Sequence, residues 1–218
     1  FLFSSVDEVY EMRVIGGEPM LNKDLHLIIE RLIAEDKIKR IVIYTNATIP
    51  LRKQQIPFFK SEKVMFLITD YAKLSRNISR LVAQLEDNDI AFDRKPVDGW
   101  TDSAGIKQHN RKDEENQEIF DYCCAKNNVT LMAGNNKLYN CPFAANAHTL
   151  GALPEASNDV VDISEEGAAA KKRIRDIIYR EDFVSACDFC TGRSYSMPNI
   201  VPAIQTRTPL PYTKYEKE

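Results

Sequence analysis

The 218 residues, 44% hydrophobic and 28% charged, describe a globular chain long enough to bury a core without covalent staples. A formal charge of −3 and a pI near 5.8 leave no overall basic field, which argues against a nucleic-acid or membrane-surface partner and leaves small-molecule and protein partners open. No apolar run approaches the roughly 18 residues needed to cross a bilayer, and FLFSSVDEVYEMR at the start has neither a basic n-region nor a cleavage site, so a cytoplasmic chain is expected.

The chain opens at Phe1 inside what reads as the end of a helix, with Phe3, Val6 and Val9 spaced by three, and an N-terminal truncation is expected. Residues 9 to 15 read as a strand stopped by Gly16 and Gly17. Leu25, Ile28, Ile29, Leu32 and Ile33 then form a helical stripe opposite Glu30, Arg31 and Glu35. RIVIYTNAT (40–48) and KVMFLITDY (63–71) are near-continuous apolar runs of the kind that fill a parallel sheet, and a stripe of Leu74, Ile78, Leu81, Val82 and Leu85 precedes a last strand, IAFDRKPV (90–97). Strands alternating with helices predict parallel βα units with right-handed crossovers, in an open doubly wound sheet or a (β/α) barrel, complete or partial.

From Gly99 the chain turns polar, and residues 99–122 are expected to be a connection or exposed helix start. NVTLMAGNNKLYNCPF (128–143) reads as a β-hairpin turning at Gly134, Asn135 and Asn136. A helix is expected over about 165–180, with Ala168, Ile174, Ile177 and Ile178 on its apolar side, and residues 196–218, with four prolines, as an extended tail.

Two features carry chemistry. At a strand's carboxyl end, glycines let a ligand approach the backbone, and the carbonyls of Gly16 and Gly17 with the Glu18 carboxylate suit a cation such as an ammonium group; a structural turn fixed by Pro19 is the competing reading. The segment lacks both GxGxxG and the GK[ST] of a phosphate loop, which disfavours a nucleotide-binding doubly wound domain. The five cysteines, Cys123, Cys124, Cys141, Cys187 and Cys190, are odd in number and confined to the second half, a pattern of reduced, metal-binding or catalytic thiols rather than staples. A cysteine before the hairpin, Cys141 at its end and the Cys187–Cys190 CxxC can converge on one Cys₄ site, suited to zinc or to an iron–sulfur cluster.

GGEP after a strand, an amphipathic helix and then IYTNAT resemble the radical S-adenosylmethionine (SAM) enzymes over residues 1 to about 97. The resemblance implies a radical-SAM-type partial (β/α) barrel over 1–98 in which Gly16, Gly17, Glu18 and Pro19 hold the amino group of SAM. It also implies that Thr45 and Asn46 match the Thr-Asn pair of the family's third strand, and that Thr69 and Asp70 lie near the ribose. The family ligates its SAM-cleaving [4Fe-4S] cluster with CxxxCxxC upstream of GGEP; no cysteine precedes Cys123, so that motif is expected in absent upstream residues, and this chain alone is expected to be inactive.

The second half, 123–195, resembles the SPASM or shorter twitch extension that carries auxiliary [4Fe-4S] clusters. The resemblance implies one such cluster on Cys124, with Cys123 as its substitute, and on Cys141, Cys187 and Cys190. In the family a SAM-derived 5′-deoxyadenosyl radical abstracts hydrogen from a small-molecule or peptide substrate, and a flavodoxin or ferredoxin supplies electrons. The auxiliary cluster would then relay an electron, as in a dehydrogenation, or shape the substrate site. A non-catalytic α/β module with a structural Cys₄ zinc ion is the alternative from another class. His26 is expected to be a boundary residue and His109 part of a polar connection. His148 lies near the cysteines, and Trp100 lines a ligand cavity or packs at the domain boundary.

Overall fold

The computed structural model describes residues 2–103, 105–132, 134–154, 159–194 and 196–202, with 208, 211, 214 and 215 of the tail. Most of the expected extended tail after residue 202 lies outside the described residues. The chain divides into two compact units, Val6–Asp98 and Gly99–Glu218, the latter joined by Phe1–Ser5. Among the described residues no helix is long and apolar enough to cross a membrane.

Val6–Asp98 is a mixed α/β unit. Strands β1 (Val9–Val14), β2 (Ile38–Thr45), β3 (Val64–Asp70) and β4 (Ala91–Pro96) form one parallel sheet in the order 1-2-3-4. A doubly wound sheet reverses its strand order at a switch point, and this one does not. Helix α1 (Leu25–Ile33) follows β1, a 3-10 segment at Lys53–Phe59 follows β2, and α2 (Ile78–Glu86) follows β3.

The helices form where the apolar period places them: α1 buries Leu25 and Ile29, and α2 buries Leu81 and Leu85, against a sheet core containing Ile41, Ile43, Phe66 and Ile68. Each such fully buried side chain stabilises the unit by about 1.5–3 kcal/mol. Lys63 Nζ donates to the carbonyls of Ile33 and Glu35 (3.0 and 3.1 Å), partnering groups that the end of α1 leaves open. Leu74 is exposed and belongs to a separate 3-10 turn, so the second stripe starts at Ile78.

The cysteine-bearing unit is built differently. Here β6 (Thr130–Met132), β7 (Lys137–Tyr139) and β8 (Val160–Asp162) form an antiparallel sheet, while β5 (Trp100–Thr101) pairs with β9 (Asn199–Ile200). Helices α3 (Asp113–Asp121), α4 (Pro142–Thr149) and α5 (Ala168–Ile178) complete it, with a 3-10 turn at Ser185–Phe189. The hairpin's left-handed residue is Asn136 (φ 54°); Gly134 does not adopt that conformation. Neither α4 nor β8 shows as an apolar period, α4 because its core face is alanine. Phe120, Ala144, Ala147, Leu153, Val184 and Phe189 pack as the core, with Cys187 among them and Cys141 against it.

Candidate functional site

Two places concentrate chemistry, one in each unit. The first is the carboxyl edge of the parallel sheet. Past the end of β1, Gly16 and Gly17 are exposed, neither is left-handed, and a Cβ built on either meets nothing within 4 Å. Neither conformation nor crowding within the chain therefore demands glycine. Among the described residues their carbonyls accept no hydrogen bond.

Glu18 behaves otherwise. It is 7% exposed and N-caps the 3-10 turn Pro19–Leu21; Oε1 accepts from Met20 N (3.0 Å) and Thr45 Oγ1 (2.9 Å), and Oε2 from Thr45 Oγ1 (3.0 Å) and Asn46 N (2.8 Å). Three donors, the Met20 and Asn46 amides and the single Thr45 hydroxyl proton, hold the carboxylate, so Glu18 is committed within the chain and shapes the turn. The buried Thr45 hydroxyl also accepts from Ala47 N (3.1 Å). Asn46 Oδ1 accepts from Thr48 N and Oγ1 (3.0 and 2.7 Å), and its Nδ2 has no acceptor among the described residues.

The next strand end is also committed internally. Asp70 Oδ2 accepts from Arg94 Nε and Nη2 (2.9 and 2.6 Å), and Oδ1 from Ala72 N (2.8 Å). The guanidinium holds the Asp70 carboxyl below the usual carboxylate range, overcoming the opposing effect of burial. Asp70, expected on the ribose side, is paired with Arg94, and the Thr69 carbonyl lies 3.3 Å from the Ser75 hydroxyl.

Ser75, which no motif marked, is 1% exposed: its hydroxyl accepts from Tyr71 N (2.9 Å) and donates to Asn46 O (2.7 Å), fastening the segments after β2 and β3 together. Ala47 (φ 55°) and Ala72 (φ 52°) stand in the left-handed region beside it, a conformation that costs a residue with a Cβ about 1–2 kcal/mol.

The second place is a cavity of about 330 Å³ lined by Cys123, Cys141, Cys187 and Cys190. Cys124 is absent from its wall: the chain leaves α3 at Asp121, Cys123 N–H bonds to Phe120 O, and Cys124 N–H turns to Arg193 O (2.7 Å). Cys123, not Cys124, therefore joins the other three. The remaining wall is largely apolar, including Phe120, Pro142, Phe143 and Val184, with Asn140 as a buried polar member.

Backbone amides reach three of the thiols. Ala125 N lies 3.4 Å from Cys123 Sγ, Ala144 N 3.3 Å from Cys141 Sγ at the N-cap of α4, and Gly192 N 3.3 Å from Cys190 Sγ. Gly192 sits at φ 83°, and a Cβ there would meet Ile119 Cγ2 at 3.2 Å. Burial, reinforced by the neighbouring thiols, pushes Cys141 up to about 11 and Cys187 up to about 12, so both are neutral thiols without a metal. Among the described residues no group of three or more His, Cys, Asp or Glu is arranged to hold a single metal ion.

His26 and His148 line neither place, and the His109 amide bonds to Asp188 O in the CxxC loop (2.9 Å). His26 Nδ1 lies 2.9 Å from Gln55 Nε2 with its ring edge-on to Phe58, and His148 stacks on Tyr139. Trp100 sits in the small β5–β9 sheet.

A parallel α/β sheet with polar strand ends, followed by a cysteine-bearing antiparallel unit, is the class of protein this chain represents. No family profile matches it, and no curated protein does. The crystal structure of BtrN in complex with AdoMet and 2-DOIA is similar to this chain, with a TM-score of 0.54 and 16% identity over 92% of this chain and 82% of that one. At that identity the likeness is one of fold.

Proposed function

We propose that this chain is the C-terminal portion of a radical SAM enzyme, with a partial (β/α) barrel that holds SAM and one auxiliary [4Fe-4S] cluster in a twitch-like extension. The observation that carries the reading is the bond between Glu18 and the Thr45–Asn46 pair: it joins the two motifs of the resemblance at one edge of a parallel sheet and leaves the Gly16 and Gly17 carbonyls open. Two carbonyls that accept no bond within the described residues suit the ammonium group of SAM, and BtrN, a fold neighbour, was crystallised with AdoMet.

The residues have separate tasks. The Gly16 and Gly17 carbonyls accept from the amino group, Glu18 fixes their direction from behind, and Asn46 Nδ2 remains a donor for the ligand. Asp70 and Ser75 hold the strand ends in place. When bound with a reductively cleaving cluster, SAM supplies a carbon radical that abstracts hydrogen; no cysteine precedes Cys123, so this sequence holds no ligands for that cluster ahead of the turn.

Cys123, Cys141, Cys187 and Cys190 would hold the auxiliary cluster. The donor set fits: four thiols share one apolar-walled cavity, and three of them receive backbone N–H groups, which stabilise thiolate sulfur. Held by Cys123, Cys141, Cys187 and Cys190, such a cluster would supply electron relay, as a dehydrogenation needs, with a flavodoxin or ferredoxin as the electron partner.

Anaerobic reconstitution with iron and sulfide, followed by calorimetric titration with SAM, tests the proposal. The expected result is visible iron–sulfur absorbance and saturable SAM binding that Gly16→Val abolishes. A colourless protein holding one zinc ion and indifferent to SAM would overturn it in favour of the structural zinc module.

A further inference from the structure

The segment before α3 reads in the sequence as a solvated run of charge, yet it closes around the CxxC loop. Asp188, between the two cysteines, accepts from Asn110 N at Oδ2 (3.2 Å) and Arg111 N at Oδ1 (2.8 Å), while its carbonyl accepts from His109 N (2.9 Å). Asn110 is left-handed (φ 54°), the conformation that turns successive amides toward one anion. In return, Arg111 Nη1 donates to the carbonyls of Cys187 (3.1 Å) and Cys190 (3.0 Å). The two segments grip each other across 76 to 79 residues of chain.

The charge matters as much as the grip. Arg111 makes no ion pair with a carboxylate among the described residues, and neither does Arg193, an exposed cation that lines the cavity. A guanidinium spent on two carbonyls makes no direct ion pair and places a positive charge beside Cys187 and Cys190, with the Asp188 carboxylate held on the amides of Asn110 and Arg111. An iron–sulfur centre with four thiolates is net negative, and a nearby cation stabilises its more negative, reduced form.

We infer that Arg111 is a positioning residue of the cysteine cavity: it holds the Cys187–Cys190 loop in ligating shape before metal arrives and, by its charge, raises the reduction potential of the centre bound there. The potential half rests on the cluster reading above; the positioning half does not.

The test therefore has a metal-free arm and a loaded arm. In the metal-free chain, hydrogen exchange over residues 187–192 should quicken at least about tenfold in Arg111→Gln and also in Asp188→Asn, which loosens the grip while keeping the arginine. In the reconstituted chain, a redox titration should show Arg111→Gln lowering the reduced-to-oxidised ratio at fixed potential about tenfold, equivalent to about 59 mV for one electron; Arg111→Lys, which keeps the charge, should restore it. Unchanged exchange in Asp188→Asn and Arg111→Gln overturns the positioning role. An unchanged potential in a fully loaded Arg111→Gln overturns the charge role while the cluster stands. A wild-type chain that takes up no iron and sulfide overturns the cluster reading and the charge role together, and the exchange arm then decides the positioning role by itself.

Discussion

The carboxyl edge of the sheet and the cysteine cavity differ in how their buried polar groups are satisfied. Among the described residues of Val6–Asp98, no buried side-chain nitrogen or oxygen lacks a hydrogen-bond partner, whereas in the other unit His109 Nε2, Asn116 Oδ1 and Asn140 Oδ1 do lack one. Glu18 is bound by Thr45, Asp70 by Arg94, and Ser75 to the Asn46 carbonyl, so these side chains are satisfied within the chain, while the Gly16 and Gly17 carbonyls and Asn46 Nδ2 have no partner among the described residues. The cavity keeps two deeply shifted thiols and an orphaned amide oxygen, a set that gains most from an occupant. One place is built and then visited; the other is finished by what it binds.

Substitutions can break this contrast. Phe66→Ala, in the sheet core beside Phe59, should cost about 3–5 kcal/mol in denaturant unfolding of Val6–Asp98 and leave iron uptake unchanged; loss of iron would show that the two places are not independent. Glu18→Ala orphans the Thr45 hydroxyl and the Met20 and Asn46 amides, so about 3 kcal/mol of stability should go together with SAM binding, the first read by unfolding and the second by calorimetry.

In the cavity, Cys123→Ser should lose most reconstituted iron by metal analysis while Cys124→Ser keeps it; the reverse would return Cys124 to the ligand set. Arg94→Gln should cost about 1 kcal/mol at neutral pH, since the guanidinium is half exposed. Because the folded Asp70 carboxyl lies below its ordinary value, its contribution is complete above about pH 4 and is lost as pH falls through the lowered folded value, so the two proteins should converge in acid unfolding. Smallest in stability is Gly16→Ala, expected within about 0.5 kcal/mol of wild type because its Cβ meets nothing. Any loss of SAM affinity in that variant then reports the ligand's own approach.

Strands β2 and β3 and helices α1 and α2 were legible because their buried residues are apolar and regularly placed, β4, largely exposed, because its apolar start follows α2, and the strand-end glycines because their residue types are informative in themselves. Roles at the edge were less so. Nothing in GGEP says that the carboxylate faces inward, since its partners at Thr45 and Asn46 lie on another strand, and Asp70 gives no local sign of Arg94. In the second unit the cysteines announced themselves, but the choice between Cys123 and Cys124 depends on how the chain turns out of α3, which adjacent identical residues cannot encode. Helix α4 was hidden because alanines fill its buried side, and Arg111 because a charge run looks solvated whether or not it grips a loop.

The bond from Glu18 to Thr45 also bears on how the sheet assembles. It closes a loop of 27 residues containing α1, and it forms only when Val14 of β1 pairs with Ile43 of β2. A slip of β2 by one residue would withdraw the Thr45 hydroxyl and strand a buried carboxylate, at a cost of about 1–3 kcal/mol. The turn that carries Glu18 thus also favours the native register of β1 and β2 over a slipped one.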